Sequence, residues 1–195
     1  MAQLQTSFVL GYHGCDADIG ERVLSGQIDL LKSDKDYDWL GPGVYFWESD
    51  PQRAWEWADR RKELKTIKTP FVVGAAIDLG NCLDLMARES LELLAESYKN
   101  LIEVVNAAGD GRQLPENRGR DGDKLLRFLD CAVIRLLHSA LEASDEPALD
   151  TVRGLFSEGE DLYPGSGFKK KTHVQIAVCT AASIKGFFRV PRPEP

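Results

Sequence analysis

The 195-residue chain has no apolar run approaching the ~18 residues that a membrane-crossing helix requires, so no transmembrane segment is expected. Met1 to Phe8 has no basic stretch leading into an apolar one, so no secretory leader is expected and the chain reads as cytoplasmic. Cysteine is sparse. Cys15, Cys82, Cys131 and Cys179 stand apart, with no Cys-x-x-Cys pair and no histidine at ligand spacing. Reduced thiols are therefore expected, and neither a disulfide framework nor a metal centre. Positive charge is in deficit: 24 Lys+Arg face 31 Asp+Glu, a net charge of −7. That balance argues against a nucleic-acid coat or membrane-surface protein, while leaving open an enzyme that meets a nucleic acid through one basic patch. There is no phosphate-loop motif and no G-x-G-x-x-G fingerprint. Gly165-Ser166-Gly167 is a turn without the strand–turn–helix context of a nucleophile elbow.

The remaining composition, 43% hydrophobic and 28% charged, is that of an ordinary globular protein long enough to close a core. Phe8 to His13 reads as a strand that stops at Gly14, and Asp16 to Gly26 as a short helix. Val44 to Trp47 is a second strand behind the breaker Gly41-Pro42-Gly43. Ser49 or Asp50 can cap a helix that opens with Pro51 and runs to about Lys65. Pro70 to Leu79 is a third strand. Apolar spacings of 3 and 4 then predict a helix over Glu89 to Val105. A Gly/Arg/Asp-rich loop over Gly109 to Gly122 follows, then a helix over Asp123 to Ala143. Strand character returns at Thr172 to Cys179 and Ser183 to Val190, with Pro191, Pro193 and Pro195 closing the fold. The expectation is one α+β domain over 1–195. Its terminal strands share a sheet, and a helical insertion fills about 86–155.

Three clusters carry possible chemistry. His13 ends a strand beside Gly14; it either caps a turn or stands where a side-chain-free residue lets a ligand approach the backbone. His138 falls on a helical polar stripe and reads as solvated. Tyr45 and Trp47 alternate with Val44 and Phe46, and Trp47, Trp55 and Trp57 fall within a short stretch; such rings serve either as core or as platforms for a planar ligand. In the late strand His173, Gln175 and Ala177 share a face opposite Val174, Ile176 and Val178. A glutamine there either pairs with neighbouring groups or points into a cleft.

The order and spacing of Tyr12-His13-Gly14, Gly43-Val44-Tyr45-Phe46 and the strand of Gln175 resemble the ADP-ribosyltransferase fold. The branch is the His–Tyr–Glu one, of the diphtheria-toxin and poly(ADP-ribose) polymerase type. The likeness extends to small bacterial toxins of toxin–antitoxin and phage-defence systems, including toxin–antitoxin–chaperone systems that modify mRNA. The resemblance implies a split-sheet core, NAD as co-substrate and no metal. It makes His13, Tyr45 and Gln175 the catalytic set, with Tyr12, Gly14, Phe46, Arg53 and Trp57 (or Trp55) around the cofactor. His13 would contact the adenosine-side ribose, the Gly14 backbone the nicotinamide amide, and Tyr45 the nicotinamide ring. Two departures stand out: Arg53 falls near the family's serine, and Gln175 occupies the place of its catalytic glutamate. A neutral amide offers a dipole where a carboxylate would offer charge, and the candidate helpers are Glu48, Asp50, Glu158, Glu160 and Asp161. Lys169-Lys170-Lys171 is a compact basic run, either a solvated turn or a steering patch for a polyanionic acceptor. The expected activity is mono-ADP-ribosyl transfer to RNA, DNA or protein with release of nicotinamide, under the control of a possible antitoxin. The competing expectations are a degenerate ADP-ribose, NAD or partner-binding module and an NAD glycohydrolase.

Overall fold

A computed structural model describes residues 8–120 and 123–193. The expectations for Met1 to Ser7, for the Gly122 end of the long loop and for Pro195 lie outside the described residues. The chain begins with β1 (Phe8–Asp16), α1 (Ala17–Leu24), β2 (Val44–Glu48), α2 (Pro51–Glu63), β3 (Pro70–Asp78) and β4 (Cys82–Asp84). It continues with α3 (Arg88–Ala108), β5 (Arg118–Arg120), β6 (Asp123–Leu126) and α4 (Phe128–Ala143). It ends with β7 (Thr151–Phe156), β8 (His173–Val178) and β9 (Ile184–Arg189). Seven strands form one sheet in the order β4-β7-β8-β2-β1-β3-β9, with only β4 and β7 parallel among the paired neighbours. The α+β class is as expected, and the first and last strands do share the sheet. Among the described residues no helix is long and apolar enough to cross a membrane.

Local sequence accounts for several element ends. The Asp16 carboxylate accepts from the Asp18 N–H and caps α1, and the Asp50 Oδ1 accepts from the Arg53 N–H at 3.0 Å to cap α2 ahead of Pro51. Other ends depend on partners. β1 runs to Asp16 rather than stopping at Gly14, because β3 pairs with it along its whole length, from Phe8↔Asp78 to Asp16↔Pro70. The helix expected from Asp123 starts at Phe128; the residues before it form β6, antiparallel to β5 inside the segment read as loop. The expected insertion also ends sooner. Thr151–Phe156, a short segment interrupted by Arg153 and Gly154, returns to the main sheet between β4 and β8 as β7.

Period-2 alternation assigns the two sheet faces. Val44, Phe46, Ile176 and Val178 join Val73, Ala75 and Ile77 in one core, which Val23 of α1 helps to close. On the opposite face α2 seats Ala54 and Trp55 against Trp47 and Val72, and α4 seats Ile134 and Leu137 against Val152 and Ala177. Burial of these apolar surfaces stabilises the sheet from both sides. Tyr45, Trp47 and Gln175 lie on this second face, with Tyr45 packed toward the α4 cluster and Trp47 toward the α2 cluster.

Candidate active site

The cleft forms where two strands part. β1 and β2 pair only at Gly11↔Glu48 and Tyr12↔Trp47. One residue further along β1, His13 takes the place of a ladder hydrogen bond: its Nδ1 lies 2.7 Å from the Tyr45 carbonyl oxygen. A carbonyl only accepts, so Nδ1 carries the proton and Nε2 is the ring's remaining acceptor. Burial depresses the His13 pKa below the usual imidazole value and outweighs that backbone bond, which raises it, so the ring is neutral near pH 7.

A cleft of about 630 Å³ opens at this parting, within the size range of small-ligand sites. His13, Gly14, Tyr45, Arg53, Trp57 and Gln175 all line it. Two expected cofactor contacts do not. Phe46 is fully buried in the core of the opposite face, as the alternation that exposes Tyr45 requires. Tyr12 packs into the α2 cluster, edge-on to Phe188 with centroids 6.1 Å apart. Of the two tryptophans offered by α2, Trp57 reaches the cleft, and Trp55 is buried beneath the Arg192 guanidinium.

Gly14 owes its identity to this helix. A Cβ there would stand 2.7 Å from the Ala54 carbonyl oxygen and 2.9 Å from the Trp57 ring. The missing side chain therefore admits α2 and its indole, and it is the close approach of α2 that requires glycine. The Tyr45 hydroxyl is equally committed: it accepts from the Leu40 N–H at 3.0 Å and donates to the Gly41 carbonyl at 2.8 Å. Burial pushes its pKa above the ordinary phenol value, so it stays protonated. The ring, not the oxygen, is what Tyr45 can offer a ligand.

Arg53 is bound within the cleft wall, with Nη1 2.6 Å from Glu56 and Nη2 3.3 Å from Glu158. Glu158 is thus the one expected carboxylate helper that lines the cleft. Glu48 is held bidentately by Arg153, Asp50 caps α2, and Glu160 and Asp161 pair with Lys170 (2.9 Å) and Lys169 (2.6 Å). The basic run is therefore largely neutralised by its own hairpin, and only Lys171 of the three lines the cleft. The lining nevertheless carries five cationic against three anionic side chains in a chain of net charge −7. Arg60 and Arg61 contribute to it from α2, and the Arg61 guanidinium stacks over Trp57 at 5.3 Å. His138, expected to be solvated, is half-buried with a lowered pKa, and its Nε2 is shielded from solvent without a hydrogen-bond partner.

Gln175 does both things the sequence left open. Its Oε1 accepts from the Trp39 indole N–H at 3.0 Å, and its Nε2 lies 3.2 Å from His173 Nε2. His173 in turn donates from Nδ1 to the Lys171 carbonyl at 2.7 Å, with its ring stacked on Phe156. Trp39 has no motif around it and comes from an irregular segment; only the fold brings it to Gln175. His173 was legible as a face-mate of Gln175 but not as its partner. The indole Nε1 of Trp47, a residue that also lines the cleft, is buried without a hydrogen-bond partner. Among the described residues no three His, Cys, Asp or Glu side chains converge to hold a metal ion.

No protein-family model matches the chain, and no solved structure matches it. The chain is 24% identical over 191 residues to an uncharacterized protein of Methanocaldococcus jannaschii, covering 89% of this chain and 83% of that protein.

Proposed function

We propose that the chain is an NAD-dependent mono-ADP-ribosyltransferase with an ADP-ribosyltransferase-like split-sheet core. What supports the reading is one juxtaposition: His13, Tyr45 and Gln175, from three different strands, line a single cleft at the parting of β1 and β2. The lining suits a planar ring and a dianionic linker, since Tyr45 and Trp57 offer aromatic surfaces and the cationic surplus favours phosphate.

In the transfer itself the bond between nicotinamide and ribose breaks, its electron pair leaves with nicotinamide, and positive charge develops on the ribose as in glycoside chemistry. Tyr45 and Trp57 would hold the leaving ring, and the neutral His13 would accept from a ribose hydroxyl through Nε2. Gln175 retains one Oε1 lone pair and one N–H to orient the ribose. Glu158 supplies negative charge, reduced by its pairing with Arg53. These groups act by orientation and fixed dipoles. The acceptor is a nucleic acid or a protein.

A binding module is the second reading, favoured by the hydrogen bonds at both ends of the Gln175 amide. Incubation with NAD labelled in its adenosine half separates the alternatives. Label on RNA, DNA or protein with nicotinamide release supports transfer; free ADP-ribose alone indicates a glycohydrolase. Bound, intact NAD would leave a binding module and end the transferase reading.

A further inference from the structure

The chain of hydrogen bonds through Gln175 has a fixed polarity. At one end is an indole N–H, which can only donate; at the other is the Lys171 carbonyl, which can only accept. Between them the Gln175 amide must turn Oε1 to Trp39 and Nε2 to His173. The imidazole must then carry its proton on Nδ1 and accept at Nε2. Every donor meets an acceptor only in this arrangement. Flipping the amide sets its NH₂ against the indole N–H, and protonating His173 sets an imidazolium N–H against the amide NH₂. Either change leaves donors opposed in a partly buried site, against a His173 that is only 5% exposed.

We propose that Trp39 and His173 are positioning residues that lock the Gln175 carboxamide in one of its two flip states, so that position 175 in this chain is built for an amide and not for a carboxylate. The lock itself stands on geometry; its bearing on catalysis rests on the transferase reading. Trp39, His173, Gln175 and Lys171 all line the cleft, so the locked amide presents its second N–H and second lone pair with a defined polarity. Glutamine at the place of the family's glutamate is then the partner of a neutral histidine, and not a carboxylate merely lost.

A glutamate at 175 could accept from Trp39 but could not donate to His173 Nε2, so the imidazole would take up a proton to bond the carboxylate. The charged groups facing His173 are mixed: Arg53 of α2 opposes its protonation, and Glu158 and Asp50 favour it. With burial as the largest influence, the His173 pKa lies below the usual imidazole value.

The test is imidazole ¹⁵N NMR of the full chain across pH, on the parent, Gln175→Glu and Trp39→Phe. The parent should show His173 as the neutral Nδ1–H tautomer, titrating below the ordinary imidazole range. Gln175→Glu, which is nearly isosteric, should move that titration up to or above the ordinary range. Trp39→Phe should move it upward by less, because the freed amide can then turn its oxygen to His173. A resting Nε2–H tautomer, or an unchanged titration in Gln175→Glu, overturns the lock. In parallel, the acid limb of kcat for NAD turnover should follow the His173 titration from variant to variant. If the parent consumes no NAD the transferase reading fails, and the NMR result still decides the lock.

Discussion

Tyr45→Phe separates the ring of this residue from its hydroxyl. The hydroxyl is the partner of the Leu40 N–H and the Gly41 carbonyl, and Leu40 is fully buried. Removing it orphans a buried donor and leaves an acceptor short, at about 1–3 kcal/mol for such a group, so a total near 2–3 kcal/mol is expected. Relief by movement is restricted. Gly41 sits at φ +74°, and its Cα lies so close to Ile134 of α4 that an added Cβ would be 2.7 Å from that side chain. For a domain of this size 1 kcal/mol corresponds to roughly 2–4 °C, so the melting temperature should fall by about 4–12 °C. Circular-dichroism melts and urea titration measure this, and NAD turnover is assayed well below the lowered melting point. Tyr45→Phe should retain turnover because the aromatic surface stays, whereas Tyr45→Ala should lose it. A Tyr45→Phe variant as stable as the parent would refute the anchoring role of the hydroxyl. One that folds but turns over no better than Tyr45→Ala would refute the assignment of function to the ring.

Gly14→Ala should destabilise by about 1–3 kcal/mol, since a methyl cannot fit between β1 and the Ala54 carbonyl without displacing α2. The same shift should move Trp57, seen as altered tryptophan fluorescence and a raised KM for NAD; a neutral substitution would mean that α2 is not held this closely. His13→Ala should abolish NAD turnover with folding preserved, and a variant that keeps parental kcat/KM removes the imidazole from the mechanism. Stability should also fall on acidification below about pH 6.5, the ordinary histidine pKa. The pKa values of His13, His138 and His173 are all lowered in the folded chain, so the unfolded chain binds protons first and the favourable difference present above pH 6.5 is lost on descent. Each contributes a slope of at most ~1.4 kcal/mol per pH unit. A Cm in urea that is flat from pH 7 to pH 5 contradicts this.

What could be read along the chain and what could not divide by the range of the interaction. Alternation in a strand and capping at a helix end are local, acting over two to four residues. Accordingly, Asp50-Pro51 announces α2, and the face-sharing of Tyr45 with Trp47 and of His173 with Gln175 is legible in the sequence. The same rule, followed through, places Phe46 in the core, where it is found. Strand neighbours depend on hydrogen bonds between distant segments. Thr151–Phe156 has β-favouring Thr151, Val152 and Phe156, but Arg153 and Gly154 break its alternation, and it is the pairing with β4 and β8 that makes it a strand. Likewise the charge of Lys169 and Lys170 was plain, but its neutralisation by Asp161 and Glu160 required the hairpin to close. The cleft shows the division most clearly. Its histidine, tyrosine and glutamine were nameable from spacing and resemblance. The indole that turns the amide lies 136 residues away in the chain, and packing alone delivers it.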